Sequence, residues 1–424
     1  MASSYNKAAR VAFEQIPETV QDALAIAAPG GRYQTDQTTM ERSGNVIWRP
    51  VPYIGQSFDG ADQSGNFKNY TQMSVPSTIS TRKSVPFQMS DIELRDALQE
   101  NRLGEAAKRK LASDINLSIV NVICNQGTLF VKRTGVATGY DDLAECDALM
   151  NEQGVPKEDR IIALTSRDYN AMAGDLSKAS RSLDNEISVA ALRKAYLGDL
   201  DGFGTFKLDY GLRKTLAGGG GGLTLSTLTG GVNIYVPKAT SVAGTGESGN
   251  VDNRFQRITL TSTTNVAAGD AFTIAGLEAV HHENKVSTGR LKTFRVISVD
   301  SATTMTISPP IISAQDGSQA STVYQNVTNT APSGTAAIVF LNTATNAINP
   351  FWVKGSVELL PGRIAMPSNA GIDVMRGTTD QGVELVMMKG ADIDTGQIKY
   401  RFDSLYGVVN LQPEMSGIMM FSQV

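Results

Sequence analysis

SDIELRDALQENRLGEAAKRKLASDINLSIVNVICNQG, residues Ser90–Gly127, is the stretch from which the rest of the chain is read. Ser90 followed by Glu93 is a capping-box signature: the hydroxyl takes a free N–H of the first turn while the carboxylate reaches back. At the other end, Gly127 is expected to take the left-handed conformation that stops a helix. No proline falls between these ends. At about 1.5 Å per residue the helix would span roughly 55 Å, longer than an ordinary domain needs.

The two halves of this stretch differ. Charge dominates from Ser90 to Arg102, with Asp91 four residues before Arg95. After Gly104, the residues Ala107, Leu111, Ile115, Ile119 and Val122 keep helical spacing on one face, and Leu117, Val120 and Ile123 widen it. The C-terminal half therefore reads as core and the N-terminal half as a strut lying over something else. Gly104, at the junction, is the expected flexing point. An ordinary long helix in a large domain explains the burial but not the length. The apolar repeat is too short for a coiled coil.

A chain of 424 residues has two or three domains as its prior expectation. Lys+Arg 38 against Asp+Glu 42 gives a net charge of −4, which offers no basic surface for nucleic acid. Cys124 and Cys146 are too few for a disulfide framework, and Cys124 reads as a reduced core thiol. The N-terminus MASSYNKAARVAFEQ has no continuous apolar region, and no stretch is long and apolar enough to span a membrane. The expectation is a soluble, cytoplasmic chain.

Residues 1–30 read as an arm: Phe13, Ile16, Val20 and Leu24 form an apolar stripe, with Glu14, Glu18, Gln21 and Asp22 opposite and Pro17 interrupting. The arm is either a helix packed on its own domain or an acidic amphipathic face for a basic partner. A short strand at 41–53 precedes the polar, Gly- and Asp-rich residues 54–74. Their length without structure suggests an extended hairpin reaching onto a neighbour. Residues 75–88 read as a strand. Residues 130–217 mix helix and strand, with a strand at 161–164, a helix from Ser166, another over SVAALRKAYLG and a strand at FGTFKLDYG.

GGGGG at 218–222 then marks a joint, after which helical periodicity gives way to short β segments until about 345. FRVISVDSATTMTIS is a hairpin signal turning at 300–303, and 237–253 reads as a long mobile loop. After 346 the α+β character returns; Ile398, Tyr400 and Phe402 alternate with Lys399 and Arg401. The fold class is α+β with an inserted all-β module, a sandwich or barrel by strand count.

Residues for chemistry are scarce. The two histidines, His281 and His282, are adjacent and would point to opposite faces of a strand, so they read as a polar loop rather than a metal site. The Gly-rich pieces lack the Lys-Ser/Thr of a phosphate loop, and no nucleophile–base pair is recognisable. Asp141–Asp142 and Glu158–Asp159 read as solvated turns, and Glu105 with Lys108, Arg109 and Lys110 as a salt-bridged or intersubunit helix face. No catalytic residue, metal or cofactor is expected.

Four pieces carry a resemblance: MERSGNVIWRPV, DIELRDALQENRLGEAAKRKLASDINLSIVN, VDNRFQRITLTSTTNVAAGDAFTIAG and YGVVNLQPEMSGI. They resemble the major capsid proteins of tailed bacteriophages with the Hong Kong 97 fold, in the short-tailed enterobacterial branch that carries an inserted immunoglobulin-like domain. Residues 54–74 and 130–217 are much less similar. The resemblance implies an N-arm (1–30), an extended loop and peripheral domain (31–129) with its spine helix (90–127), and an axial domain (130–222). It further implies an inserted domain (223–345) and a return through both domains (346–424). It also implies hexamers and pentamers in a capsid lattice, assembled in the host cytoplasm with scaffolding and portal proteins. The resulting icosahedral procapsid would enclose double-stranded DNA without reading its sequence, and expand on packaging.

The loop at 237–253 falls where this family's inserted domain reaches a neighbour. Asp252 and Arg254, flanking Asn253, suit charged pairs across a local two-fold. Glu14, Glu18 and Asp22 are the expected scaffold contacts, and Leu111, Ile115, Ile119 and Val122 the spine-helix core. The competing readings are a cellular nanocompartment shell protein and a carbohydrate-binding β-rich surface protein.

Overall fold

The computed structural model describes residues 31–32, 46–52, 54–90, 97–179, 198–208, 210, 212–218, 222–226, 234–328, 335–364, 373–379, 382–392, 394 and 396–423. Side chains are described for all of these except 31–32, 97–103, 176–179 and 373. The chain forms two compact units, one of residues 1–47, 77–121 and 357–409, the other of 48–76, 122–356 and 410–424. The arm at 1–30, the capping-box residues 91–96 and most of the expected helix at SVAALRKAYLG lie outside the described residues.

The first unit is built on the 14-residue strand Gln397–Asn410. It pairs antiparallel with Glu384–Asp392 on one side and with Thr81–Met89 on the other. Val357–Pro361 and Asp373–Thr378 extend the sheet, and Gly31–Arg32 closes one edge. The expected alternation is present: Tyr400 and Phe402 are buried, whereas Lys399 and Arg401 are exposed. Phe87 stacks on both buried rings, at 5.0 and 5.9 Å between centroids. Asp403, fully buried, is clamped by Arg82 and Arg401.

The long helix is Ala97–Gln126. Leu111, Ile115 and Ile119 are buried as expected, and Ser118 Oγ lies 2.9 Å from the Tyr406 hydroxyl of the sheet. Two expectations at its C-terminal end fail. Val122 is only half-buried; the stripe continues along the i+4 row to Ile123, and Val120 flanks it. Gly127 does not adopt a positive φ. Instead it is a point of close approach, where a Cβ would sit 2.7 Å from the Ile123 carbonyl oxygen and 3.0 Å from the Gly417 nitrogen.

The second unit holds a six-stranded mixed sheet in the order Leu129–Lys132, Ser416–Met420, Asn349–Val353, Arg160–Thr165, Phe203–Leu208 and Asp199–Leu200. The 416–420, 349–353 and 160–165 strands are buried at every residue, which is why they read as continuous apolar runs rather than alternating ones. Helices Tyr140–Glu152 and Ser166–Ala179 cover the sheet, packing Leu143, Cys146, Met150, Tyr169 and Met172 against Ile162, Phe351 and Met419. Asp142 is not the solvated turn residue expected. It is fully buried, takes Arg133 Nε at 2.6 Å and the backbone N–H of Thr138 at 2.7 Å, and so closes the first turn of its helix.

The same unit contains a five-stranded antiparallel sheet in the order Gln256–Thr259, Thr304–Ser308, Ser287–Val299, Ala271–Val280 and Ile338–Phe340. The hairpin read from FRVISVDSATTMTIS forms, with Val299 opposite Met305. Phe272 and Phe294 stack at 5.7 Å in a core shared with Ile258, Val296, Met305, Ile307 and Ile338.

Two loops depart from their sequence reading. No strand forms among the described residues from 54 to 73. Instead the loop is closed at its base by Val51 N–H donating to the Met73 carbonyl (2.9 Å), and it carries its own turn at 63–66. Gln63 Nε2 and Asp62 Oδ1 bond nearby backbone, the side-chain competition that short polar residues offer against a ladder. Within 237–253, Thr240–Val242 pairs antiparallel with Ser248–Asn250, and all six residues are exposed.

Candidate assembly surfaces and a buried charge cluster

The strand Ser287–Val299 meets the end of the long helix through two residues on one face. Thr293 donates its hydroxyl to the Thr128 carbonyl at 2.7 Å, and Arg295 donates Nη2 to the Cys124 carbonyl. The helix has no basic residue in its last turn, so Arg295 supplies the cation that its negative end lacks. Arg295 is fully buried, and burial lowers its pKa to about 10. Burial likewise raises the Cys124 thiol to about 12, which fits the inert core thiol expected.

The triplet 252–254 is arranged differently from its sequence reading. Arg254 grips Asp252 with two bonds, Nε to Oδ1 at 2.9 Å and Nη2 to Oδ2 at 2.7 Å, and gives Nη1 to the Asn410 carbonyl at 2.7 Å. Asn253 is buried and pins the loop base, accepting from the Tyr235 hydroxyl and Lys238 N–H and donating to the Lys238 carbonyl. Within one subunit these residues satisfy each other. The fully exposed segment is the 240–250 hairpin that they support.

A cavity of about 550 Å³ lies in the second unit, its apolar wall formed by Ile54, Met73, Val75, Ile312, Tyr324 and Met415. His282, Lys292 and Glu414 also line it. Lys292, 3% exposed, donates to Glu414 Oε1 at 2.6 Å and to Gln153 Oε1 at 3.1 Å. Asn326 Nδ2 reaches the same Glu414 oxygen at 3.3 Å, and His282 N–H bonds the Gln153 carbonyl at 3.1 Å. Lys285 donates Nζ to the Gln325 carbonyl at 3.1 Å. His282 is therefore part of a packed cluster, not a free polar loop.

Burial holds His282 below its ordinary pKa and lowers Lys285 to about 8. Burial would push Glu414 up, but Lys292, His282 and Lys285 together outweigh it and hold the carboxyl below the usual range.

Of the other expected site residues, Gly104 is in the helix interior with no heavy atom within 4 Å of where a Cβ would stand. Glu14, Glu18 and Asp22 lie outside the described residues. Of the helix face expected to be salt-bridged or intersubunit, Lys108 is buried and Lys110 pairs with Asp114 at 2.7 Å. The charge cluster and Arg295 escaped sequence reading. Their trace in the sequence is cations placed inside the apolar strand LKTFRVISV and an acid inside the apolar tail LQPEMSGIMMF. Pairing residues 122 positions apart is not legible from one chain.

Among the described residues no cluster of His, Cys, Asp and Glu is suited to hold a metal ion. Similar solved structures include one described as Mycobacterium phage Che8, 11% identical, covering 91% of this chain and 88% of that one, with a TM-score of 0.44. The capsid of the cyanophage P-SCSP1u is also 11% identical, covering 92% of this chain and 86% of that one, with a TM-score of 0.41. The CUS-3 coat protein I-domain is 38% identical over 30% of this chain and 99% of its own, with a TM-score of 0.23. The family model described as P22 coat protein, gene protein 5, matches residues 1–422. The chain belongs to the P22 coat protein family and is a bacteriophage major capsid protein.

Proposed function

We propose that this chain builds an icosahedral procapsid from hexamers and pentamers, together with a scaffolding protein and a portal, and that the shell expands as double-stranded DNA is packaged in the host cytoplasm. The match to a coat protein family over residues 1–422 carries this reading. The role is structural and non-catalytic: a lattice subunit takes part in many interfaces at once and needs repeated, modest contacts. A net charge of −4 suits a container that must hold DNA without gripping its phosphates.

Within this reading, residues 223–345 form an inserted module, and the 240–250 hairpin on its Asp252–Asn253–Arg254 base reaches a neighbouring subunit. The arm's Glu14, Glu18 and Asp22 receive a basic segment of the scaffold. Electron microscopy of the expressed protein with and without scaffold tests the assembly: uniform shells or polyheads support it, and persistent monomers refute it. Charge reversal at Glu14 and Glu18 should abolish scaffold-assisted assembly, and an unchanged procapsid yield would remove the arm from that role.

A further inference from the structure

The cluster around Lys292 ties together three segments distant in sequence. His282, Lys285 and Lys292 come from and between the strands Ala271–Val280 and Ser287–Val299, Gln153 follows the helix Tyr140–Glu152, and Glu414 lies in the C-terminal segment. Gln153 is held twice, by the Lys292 ammonium at its side chain and by the His282 N–H at its carbonyl. Glu414 is also held twice, by Lys292 and by Asn326. Its remaining exposure, 33%, belongs to a residue that lines the cavity. The charged groups facing one another here are His282, Lys285, Lys292, Glu414 and, more exposed, Glu283.

We propose that this cluster is an acid-sensitive latch, which at neutral pH clamps the 280–292 segment to Gln153 and Glu414 and which opens on acidification. The reason lies in the count of partners. Among the described residues, Glu414 is the one carboxylate bonded to the nearly inaccessible Lys292 ammonium. Once it is protonated, a buried cation loses its counter-charge, a more costly situation than never having buried the pair. Protonating His282 adds a further cation beside Lys285 and Lys292. Both events run in the same direction.

The pH window follows from the signs. His282 has a folded pKa below its ordinary 6.5, so between those values the open state binds more protons and closure weakens as pH falls. Glu414 is depressed below 4.5, so its contribution is intact above 4.5 and is lost as pH falls through its folded value. Lys285 stays charged throughout this window and does not oppose the effect. Opening should begin below about pH 6.5 and complete below about pH 4.5.

Hydrogen exchange of the full-length protein from pH 7.5 to pH 4, corrected for intrinsic rates, tests the latch. Peptides covering 280–292 and 411–415 should open by up to tenfold per pH unit for each linked proton, while the Phe272–Phe294 region stays protected. Glu414→Gln should show this opening already at pH 7.5 and lose most of the acid response. His282→Gln, a milder change, should move the onset to lower pH. No acid-dependent opening in these peptides overturns the proposal, as does an unchanged acid profile in either variant.

Discussion

Replacing Gly104 by alanine should stabilise the subunit and, where the shell expands as proposed, hinder that expansion. Gly104 lies seven residues inside the described start of a 30-residue helix, and a Cβ placed there meets no heavy atom within 4 Å. Alanine is therefore free of steric cost and recovers the ~0.8–1 kcal/mol that glycine forfeits in a helix interior. For a chain of 424 residues that is a rise of about 1 °C in Tm. If Gly104 flexes during expansion, the same ~1 kcal/mol opposes the flexed state and slows expansion roughly fivefold. Circular-dichroism melting of the subunit reads the first effect, and heat-induced expansion of procapsids followed by native gel mobility reads the second. A Tm that falls refutes the steric reasoning. A raised Tm with unchanged expansion shows Gly104 to be a tolerated glycine and nothing more.

Three further outcomes are expected. Gly417→Ala places a Cβ 2.4 Å from the Leu129 carbonyl oxygen and 2.7 Å from Phe351 Cζ, and should cost about 3 kcal/mol or more in denaturant unfolding; a loss below about 1 kcal/mol contradicts the packing described. Phe294→Ala, at a fully buried ring stacked on Phe272, should cost about 3–5 kcal/mol, and residues 223–345 expressed alone should unfold cooperatively if that core sustains an independent module. Lys285, with its pKa lowered to about 8, carries its full burial cost below pH 8 and sheds it as pH rises toward 10.5. Lys285→Met should accordingly raise stability at pH 7 and flatten the rise between pH 8 and 10.5, and identical pH–stability curves for the two proteins would exclude this cost.

The fold class was legible because its signals are local. The 3.6-residue period at Leu111, Ile115 and Ile119 gave the helix, and the alternation at Tyr400 and Phe402 gave the strand. The failures share a cause: tertiary partners decide them. Val122 and Ile123 are both apolar, and only the packed neighbour selects which is buried. Gly127 is glycine because the 416–420 strand passes close by, not because the helix needs a left-handed residue. Asp142 reads as a solvated acid in sequence and Glu414 carries no signal of its own there, yet Arg133 and Lys292 make their burial tolerable. At the triplet 252–254, the charges were legible but their mutual pairing within the subunit was not.

The position of the 416–420 strand has a consequence for synthesis. It lies between Leu129–Lys132, with which it runs parallel, and Asn349–Val353, with which it runs antiparallel, yet it is translated long after the first of them. At about 5–20 residues per second, the ribosome needs roughly 15–60 s between delivering the first of these strands and supplying the one that fills the gap. Throughout that interval Leu129–Lys132 has an unsatisfied edge and an exposed apolar face, on a polysome where many identical nascent chains present the same vacancy. Completion of this sheet must therefore wait for a strand distant in sequence, and crowding of unfinished chains becomes the hazard that this topology imposes on a protein made in many copies.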